Sequence, residues 1–176
     1  MVLYMSRIIP TFADKVIKKM KTILLLNGKT TDEVVNKLIQ QYVERIKFYM
    51  DFELQVIPEI KNTRYLTPEQ QKQKEGELIL KALNGADEAV LLDEHGKEYR
   101  SVEFAGQIKK FQNAGRRKVV FVVGGPYGFS DEVYQRATAK LSLSQMTFPH
   151  QLVRIFFVEQ LYRAMTIIKG EPYHHE

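Results

Sequence analysis

Short apolar runs alternate with longer amphipathic ones from Lys21 onward, and one of the short runs, Val119-Val-Phe-Val-Val123, is apolar at every position. A strand with one solvated face alternates apolar and polar residues, so a run without alternation belongs to a strand covered on both sides. That is the condition of a central strand in a parallel sheet, whose neighbours are reached by crossover helices. The expectation is therefore an α/β fold: a mostly parallel sheet of five or six strands with helices on both faces. Strands are expected over residues 22–27, 53–57, 89–93, 119–123 and 140–143.

The helices have readable starts. Thr30-Thr31-Asp32-Glu33 fits a capping box ahead of Val34, Val35, Leu38, Ile39, Tyr42, Val43 and Ile46, which fall on one face. Thr67-Pro68-Glu69-Gln70 fits a second box with proline at the first helical position, and Asn84-Gly85 supplies its stop. Two more helices are expected over 102–113 and 131–138, and residues 61–66 read as a mobile loop. The last helix, over 149–169, is apolar around most of its circumference, from Leu152 and Val153 through Phe156, Phe157 and Leu161 to Ile167 and Ile168. Such a helix must be covered on more than one side. In a chain of 176 residues, enough for one core and too short for two, a second copy of the chain is the natural second cover, which predicts a two-fold homodimer.

The absence of cysteine removes disulfides, thiolate nucleophiles and sulfur-ligated metal, and suits a reducing, cytoplasmic setting. A net charge of +5 is compatible with a polyanionic partner without requiring one. No apolar stretch is long enough to cross a bilayer. Residues 1–19 carry Pro10, Asp14 and several lysines without a sustained apolar core, so they do not read as a secretory signal. They are expected to be an upstream extension, with residues 20–176 forming the one domain.

Several chemistries lose their signatures. There is no G-x-x-x-x-G-K-[ST], no G-x-G-x-x-G opening a helix and no G-x-S-x-G, and His174-His175 lacks partners at metal-ligand spacing, so no metal site is expected. What remains is a set of strand-end loops: Leu91-Leu92-Asp93, Val123-Gly124-Gly125-Pro126 and the segment 143–148. Ligands of α/β sheets bind beyond the carboxyl ends of strands. Gly124 and Gly125, with no Cβ, let a ligand approach the backbone closely. A pocket without a phosphate cradle suits an adenosine ligand that carries no phosphate, such as S-adenosylmethionine.

Several segments occur in an order that resembles one family. They are Lys74-Glu75-Gly76-Glu77, Leu92-Asp93 with Gly96-Lys97, Gly124-Gly125-Pro126 with Gly128, the run from Leu141 to Arg154 (LSLSQMTFPHQLVR), Glu159-Gln-Leu-Tyr-Arg-Ala164, and Tyr173-His174. Together they resemble the RlmH family of SPOUT-class RNA methyltransferases, over essentially residues 20–176. The resemblance implies a homodimer with a deep C-terminal trefoil knot. It implies S-adenosylmethionine bound in that knot and methylation of N3 of a pseudouridine in helix 69 of 23S rRNA on the assembled ribosome.

Carried over residue by residue, the cofactor contacts are Leu92, Gly124, Leu143, Ser144, Gln145, Met146, Thr147 and Phe148. The imide nitrogen of pseudouridine needs its proton removed before it accepts a methyl group, and His150 and His174 are the two candidate catalytic groups. A structural hydrogen bond is the competing role for His150. Arg154 and Tyr173 are candidate RNA contacts, Arg154 having a dimer-interface salt bridge as its alternative. The family usually ends with a basic residue after Tyr-His; this chain has His175. The rival function is a non-enzymatic ribosome-associated protein that binds RNA through the basic residues Arg116-Arg117-Lys118.

Overall fold

The computed structural model describes residues 20–175, so the expected extension over residues 1–19 lies outside the described residues. Five parallel strands form one sheet: β1 (Lys21–Asn27), β2 (Asp51–Ile57), β3 (Glu88–Glu98), β4 (Lys118–Val123) and β5 (Ala139–Ser142), in the order β2-β1-β4-β3-β5. The helices are α1 (Glu33–Lys47), α2 (Pro68–Ala82), α3 (Ser101–Asn113), α4 (Asp131–Arg136) and α5 (Leu152–Lys169). None is long and apolar enough, among the described residues, to cross a membrane.

Strand direction and crossover handedness assign each helix to a face. Moving from β1 to β2 and from β3 to β4 runs one way along the sheet, while β2 to β3 and β4 to β5 run the other way. Right-handed crossovers then place α1 and α3 on one face and α2 and α4 on the opposite one. The core divides accordingly. Leu24, Leu26, Phe121 and Val123 pack with Ile39, Val43, Phe104, Ile108 and the α5 residues Phe157, Val158 and Leu161. Ile23, Leu25, Val120 and Val122 pack with Ile79, Leu83 and Val133 on the other side. Every residue of Val119–Val123 is buried, as the run without alternation requires.

Three local expectations change. The cap of α1 is Asp32, whose side chain accepts from Val35 N at 2.9 Å; Thr30 instead turns its hydroxyl to Arg154. The segment read as a mobile loop contains a 3-10 turn over Thr63–Tyr65, entered through Asn62 at φ 61°. β3 extends to Glu98, well past the expected end at residue 93, and Leu141 of β5 pairs with both Leu92 and Lys97. The four intervening residues, Asp93 to Gly96, therefore loop out beside β5. By contrast, the capping box at Thr67 is present as read, with Thr67 and Gln70 bonding each other's backbone N–H.

α5 is buried between α1 and α3 along Arg154, Phe157, Val158, Leu161, Ala164 and Met165. Its other side stays uncovered. Leu152 is 38% exposed and Phe156 44%, and the Phe156 ring stacks 4.9 Å from Phe148. After Gly170, at φ 71°, the tail turns back against α1 and α5. Tyr49 donates to Glu171 at 2.5 Å, and the Tyr173 hydroxyl lies 3.1 Å from Glu159 and 3.4 Å from Tyr42.

Candidate cofactor pocket

The chain leaves β3 toward one face of the sheet and leaves β4 toward the other, which opens a crevice beyond their carboxyl ends. A cavity of about 440 Å³ fills that crevice. Its walls are the ends of β3, β4 and β5, the Gly125–Phe129 turn, Tyr134 of α4 and the loop that leads into α5.

Most of the cofactor residues expected from the sequence meet there. Leu92, Gly124, Leu143, Ser144, Met146, Thr147 and Phe148 line the cavity, and so does His150; Gln145 belongs to the same loop and turns toward Glu98 at 3.5 Å. The loop is held in shape by its own polar groups: Ser144 Oγ accepts from Met146 N at 2.9 Å, Ser142 Oγ donates to Ser144 O at 2.9 Å, and Thr147 Oγ1 donates to Glu94 at 2.8 Å. Gly125 lies against the buried Glu75 carboxyl, and a Cβ there would run into Glu75 Oε2 and Asn27 Nδ2. That contact accounts for the second glycine and for the position of the Lys74–Glu77 segment behind the pocket.

Sequence reasoning passed over several wall residues. Tyr127, Phe129, Tyr134 and His95 line the cavity, and Asp93, read as a strand end, faces Tyr134. Only Asp93 carried a local signal, its place at the end of β3. The others arrive through tertiary packing.

His150 stands at the edge of the cavity. Burial, aided by the positive charge of Arg154, holds its imidazole below the usual histidine range, against a smaller opposing pull from Glu59. Gln151 Oε1 accepts from Thr31 N at 3.1 Å and Gln151 Nε2 donates to Lys29 O at 3.2 Å, which fixes the amide orientation. The same Nε2 lies 3.3 Å from His150 Nε2. An amide N–H can only donate, so in the neutral ring the proton sits on Nδ1 and Nε2 offers its lone pair.

Arg154 is placed differently from the expected RNA contact. It is fully buried, and its guanidinium donates to Asn27 O at 2.8 Å, Gly28 O at 3.1 Å, Thr30 Oγ1 at 2.9 Å and His150 O at 3.2 Å. Parallel strands end in free carbonyls, and this side chain satisfies those of β1 while tying them to the entrance of α5. With its donors committed inside the chain, it has no face left for a phosphate. Tyr173 and His174 also lie outside the cavity lining. The Tyr173 ring packs 4.8 Å from Tyr162 under the Arg163 guanidinium, and both ring nitrogens of His174 are buried without a hydrogen-bond partner among the described residues.

The basic residues of the rival reading sit at the amino-terminal end of the strands, at the start of the central β4, about 20 Å from the cavity along six strand residues. Arg116 is paired with Glu88 at 2.7 Å and Lys118 Nζ donates to Asn84 O at 2.9 Å.

Comparison with known proteins agrees with this geometry. Residues 20–174 match the family model described as predicted SPOUT methyltransferase. A ribosomal RNA large subunit methyltransferase H from Bacteroides thetaiotaomicron is 57% identical over 157 residues, which cover 89% of this chain and 100% of that protein. The protein of the same name from Flavobacterium psychrophilum is 53% identical over 153 residues, covering 87% and 98%. Among solved structures, a probable methylase family protein from Haemophilus influenzae covers 91% of this chain and 72% of its own, with a TM-score of 0.51 at 12% identity. A probable methyltransferase from Bordetella pertussis covers 86% and 96%, with a TM-score of 0.50 at 14% identity. Those two likenesses are of fold alone, whereas the named relatives are more than half identical over nearly nine-tenths of the chain. The chain belongs to the SPOUT methyltransferase family, within its branch of ribosomal RNA large subunit methyltransferases H.

Proposed function

We propose that the protein transfers a methyl group from S-adenosylmethionine to N3 of a pseudouridine in helix 69 of 23S rRNA, acting in the cytoplasm on the assembled ribosome. The observation that carries the cofactor half of this reading is the charge of the cavity. Two carboxylates, Asp93 and Glu94, and two imidazoles line it, and no lysine or arginine stands among the described residues that do so. A nucleotide phosphate would find no cationic partner there, whereas a cationic, phosphate-free nucleoside is favoured. When bound, the cofactor supplies an already activated methyl group on a sulfonium, so the protein needs to orient and desolvate rather than to activate.

The residues divide the work as follows. Leu92, Gly124 and the 143–148 loop, Gln145 included, hold the nucleoside, mainly through backbone groups. His150 accepts the N3 proton of the uracil ring at Nε2, giving up the Gln151 amide contact as it does so. Arg154, rather than touching RNA, holds the floor on which His150 stands. Tyr173 and His174 contribute to RNA or to catalysis from a tail that is pinned by Glu159 and Tyr42.

A homodimer belongs to the same proposal. The exposed strip of α5, at Leu152 and Phe156, adjoins Phe148, which also lines the cavity, so a second copy seated on that strip borders the pocket as well. His174 of that copy is then a second candidate base. The knot implied by the resemblance belongs to the same proposal, and the close packing of Gly96 against the backbone of Lys140 and Leu141 is compatible with it.

Methyl transfer from labelled donor to ribosomes lacking the modification tests the reading. Transfer to N3 of the helix 69 pseudouridine is expected; saturable RNA binding with no cofactor binding in calorimetry would instead favour the non-enzymatic rival. His150→Ala is expected to lower the single-turnover rate about 10²- to 10⁴-fold and to remove the acid limb of the pH-rate profile. In the wild type that limb falls below pH 6.5, the ordinary imidazole value, because protonation of a ring held low by burial removes the base. An acid limb that survives the substitution assigns the proton transfer elsewhere. Phe156→Asp is expected to convert a particle of twice the chain mass to a single chain in sedimentation, and an unchanged mass would place the dimer contact on another face.

A further inference from the structure

Asp93 is the best-buried carboxylate of the cavity wall, and its surroundings are built to keep it charged. Its side chain is 6% exposed. Oδ2 accepts from the Tyr134 hydroxyl at 2.5 Å and Oδ1 from His95 N at 2.8 Å. Burial alone would raise its pKa, but the Tyr134 and His95 donors and the nearby Lys140 charge outweigh it and hold the carboxyl below the usual range. Tyr134 is itself fixed, with Phe129 edge-on at 5.7 Å and the Lys140 ammonium 5.6 Å above its ring.

A carboxylate offers about four lone-pair directions; the Tyr134 hydroxyl and His95 N–H fill two, and the exposed His95 ring, its Nδ1 3.4 Å from Oδ1, approaches a third. The remaining capacity belongs to a group that lines the cavity and is nearly closed to solvent, where a further charged donor is favoured. The neighbouring Glu94 differs: it is exposed and already engaged by Thr147.

Taking S-adenosylmethionine as the ligand, as proposed above, we infer that Asp93 is the acceptor for the cofactor's α-ammonium group, with Tyr134 as the positioning residue that orients the carboxylate. A sulfonium has no N–H to give, whereas an ammonium has three donors and a full charge, which matches what Asp93 lacks. The amino-acid end of the cofactor is then anchored on β3, leaving the loop before α5 to hold the nucleoside end.

Isothermal titration of the full-length protein with three probes separates this role from others. S-adenosylmethionine and S-adenosylhomocysteine both carry the ammonium; 5′-methylthioadenosine keeps adenine, ribose and sulfur without it. Asp93→Asn is expected to weaken the first two by roughly tenfold to a hundredfold and to leave the third within about twofold of the wild type. Equal loss for all three, or none for any, overturns the assignment, and loss confined to S-adenosylmethionine overturns it in favour of the sulfonium. If the wild type itself binds neither of the first two, the cofactor reading falls first and takes this inference with it.

Tyr134→Phe, which introduces no charge, gives a second arm should the Asn variant misfold. Removing the hydroxyl donor raises the Asp93 pKa, so affinity for S-adenosylhomocysteine should begin to fall at a higher pH on acidification than in the wild type. The groups facing Asp93 there are His95, Glu94 and Lys140, all retained in the variant. An unshifted profile removes Tyr134 from this role and, because the carboxylate would then not titrate against the ligand, Asp93 with it.

Discussion

Gly96→Ala is expected to lower the melting temperature by roughly 6–12 °C, or to prevent accumulation of folded protein altogether, although it adds a single methyl group. Gly96 has no positive φ to demand glycine; the requirement is one of space. A Cβ there would stand 2.6 Å from Leu141 C and 2.7 Å from both Leu141 N and Lys140 C. All three are backbone atoms of β5, so no side chain can rotate away. Relief requires moving either the outward loop of β3 or the whole of β5, and β5 leads directly into the 143–148 loop of the pocket. Overpacking typically costs about 1–3 kcal/mol, and a contact that only backbone motion can relieve belongs at or above the top of that range, about 3 kcal/mol. Gly106 provides the matched control. It lies inside α3 with nothing within 4 Å of the place a methyl group would take, so Gly106→Ala should be neutral or stabilising by up to about 1 kcal/mol. Equal melting temperatures for the two variants would show that β3 does not press on β5 there.

The contrast between Gly96 and Val119–Val123 explains which parts of this molecule were legible in the sequence. Strands, helix faces and the Thr67 box rest on local patterns, a period or a cap, and those were read at nearly the observed positions. The pocket loops were legible as strand ends because a parallel sheet puts its carboxyl ends on one side. The excursion of β3 past Asp93 was not, because the contact that fixes it joins residues 96 and 141 and leaves no periodicity. Asp32 displaced Thr30 as the cap for the same kind of reason: Thr30 is claimed by Arg154, more than a hundred residues away. Asp93 with Tyr134, and Glu75 with Gly125, are likewise pairs whose meaning exists only after folding. An arginine one turn into a helix and near a loop of ligand residues looks like an anion contact in one dimension. Only the position of the β1 carbonyls makes it an internal brace.

Arg154→Ala is the second large effect, and it should strike stability and chemistry through the same side chain. Truncation leaves Asn27 O, Gly28 O and Thr30 Oγ1 without their donor in a buried site, and each buried acceptor left unsatisfied costs about 1–3 kcal/mol, so a loss of several kcal/mol is expected. Arg154→Lys retains the cation but not the fork. One ammonium has three donors on a flexible stem and is a poor match for oxygens held by two segments, so a smaller but distinct loss is expected. A brace that matters only for folding would act on the melting temperature alone. Here a second readout follows from His150, whose pKa is held down first by burial and then by the Arg154 charge. Removing that charge favours the imidazolium, so the His150 pKa rises toward 6.5 and the acid limb of the pH-rate profile moves to higher pH. In Arg154→Lys, where the charge persists, the limb should stay near its wild-type position even though stability falls. A limb that stays in place in folded Arg154→Ala protein would break the link between the brace and the base, and would leave Arg154 as a purely structural residue.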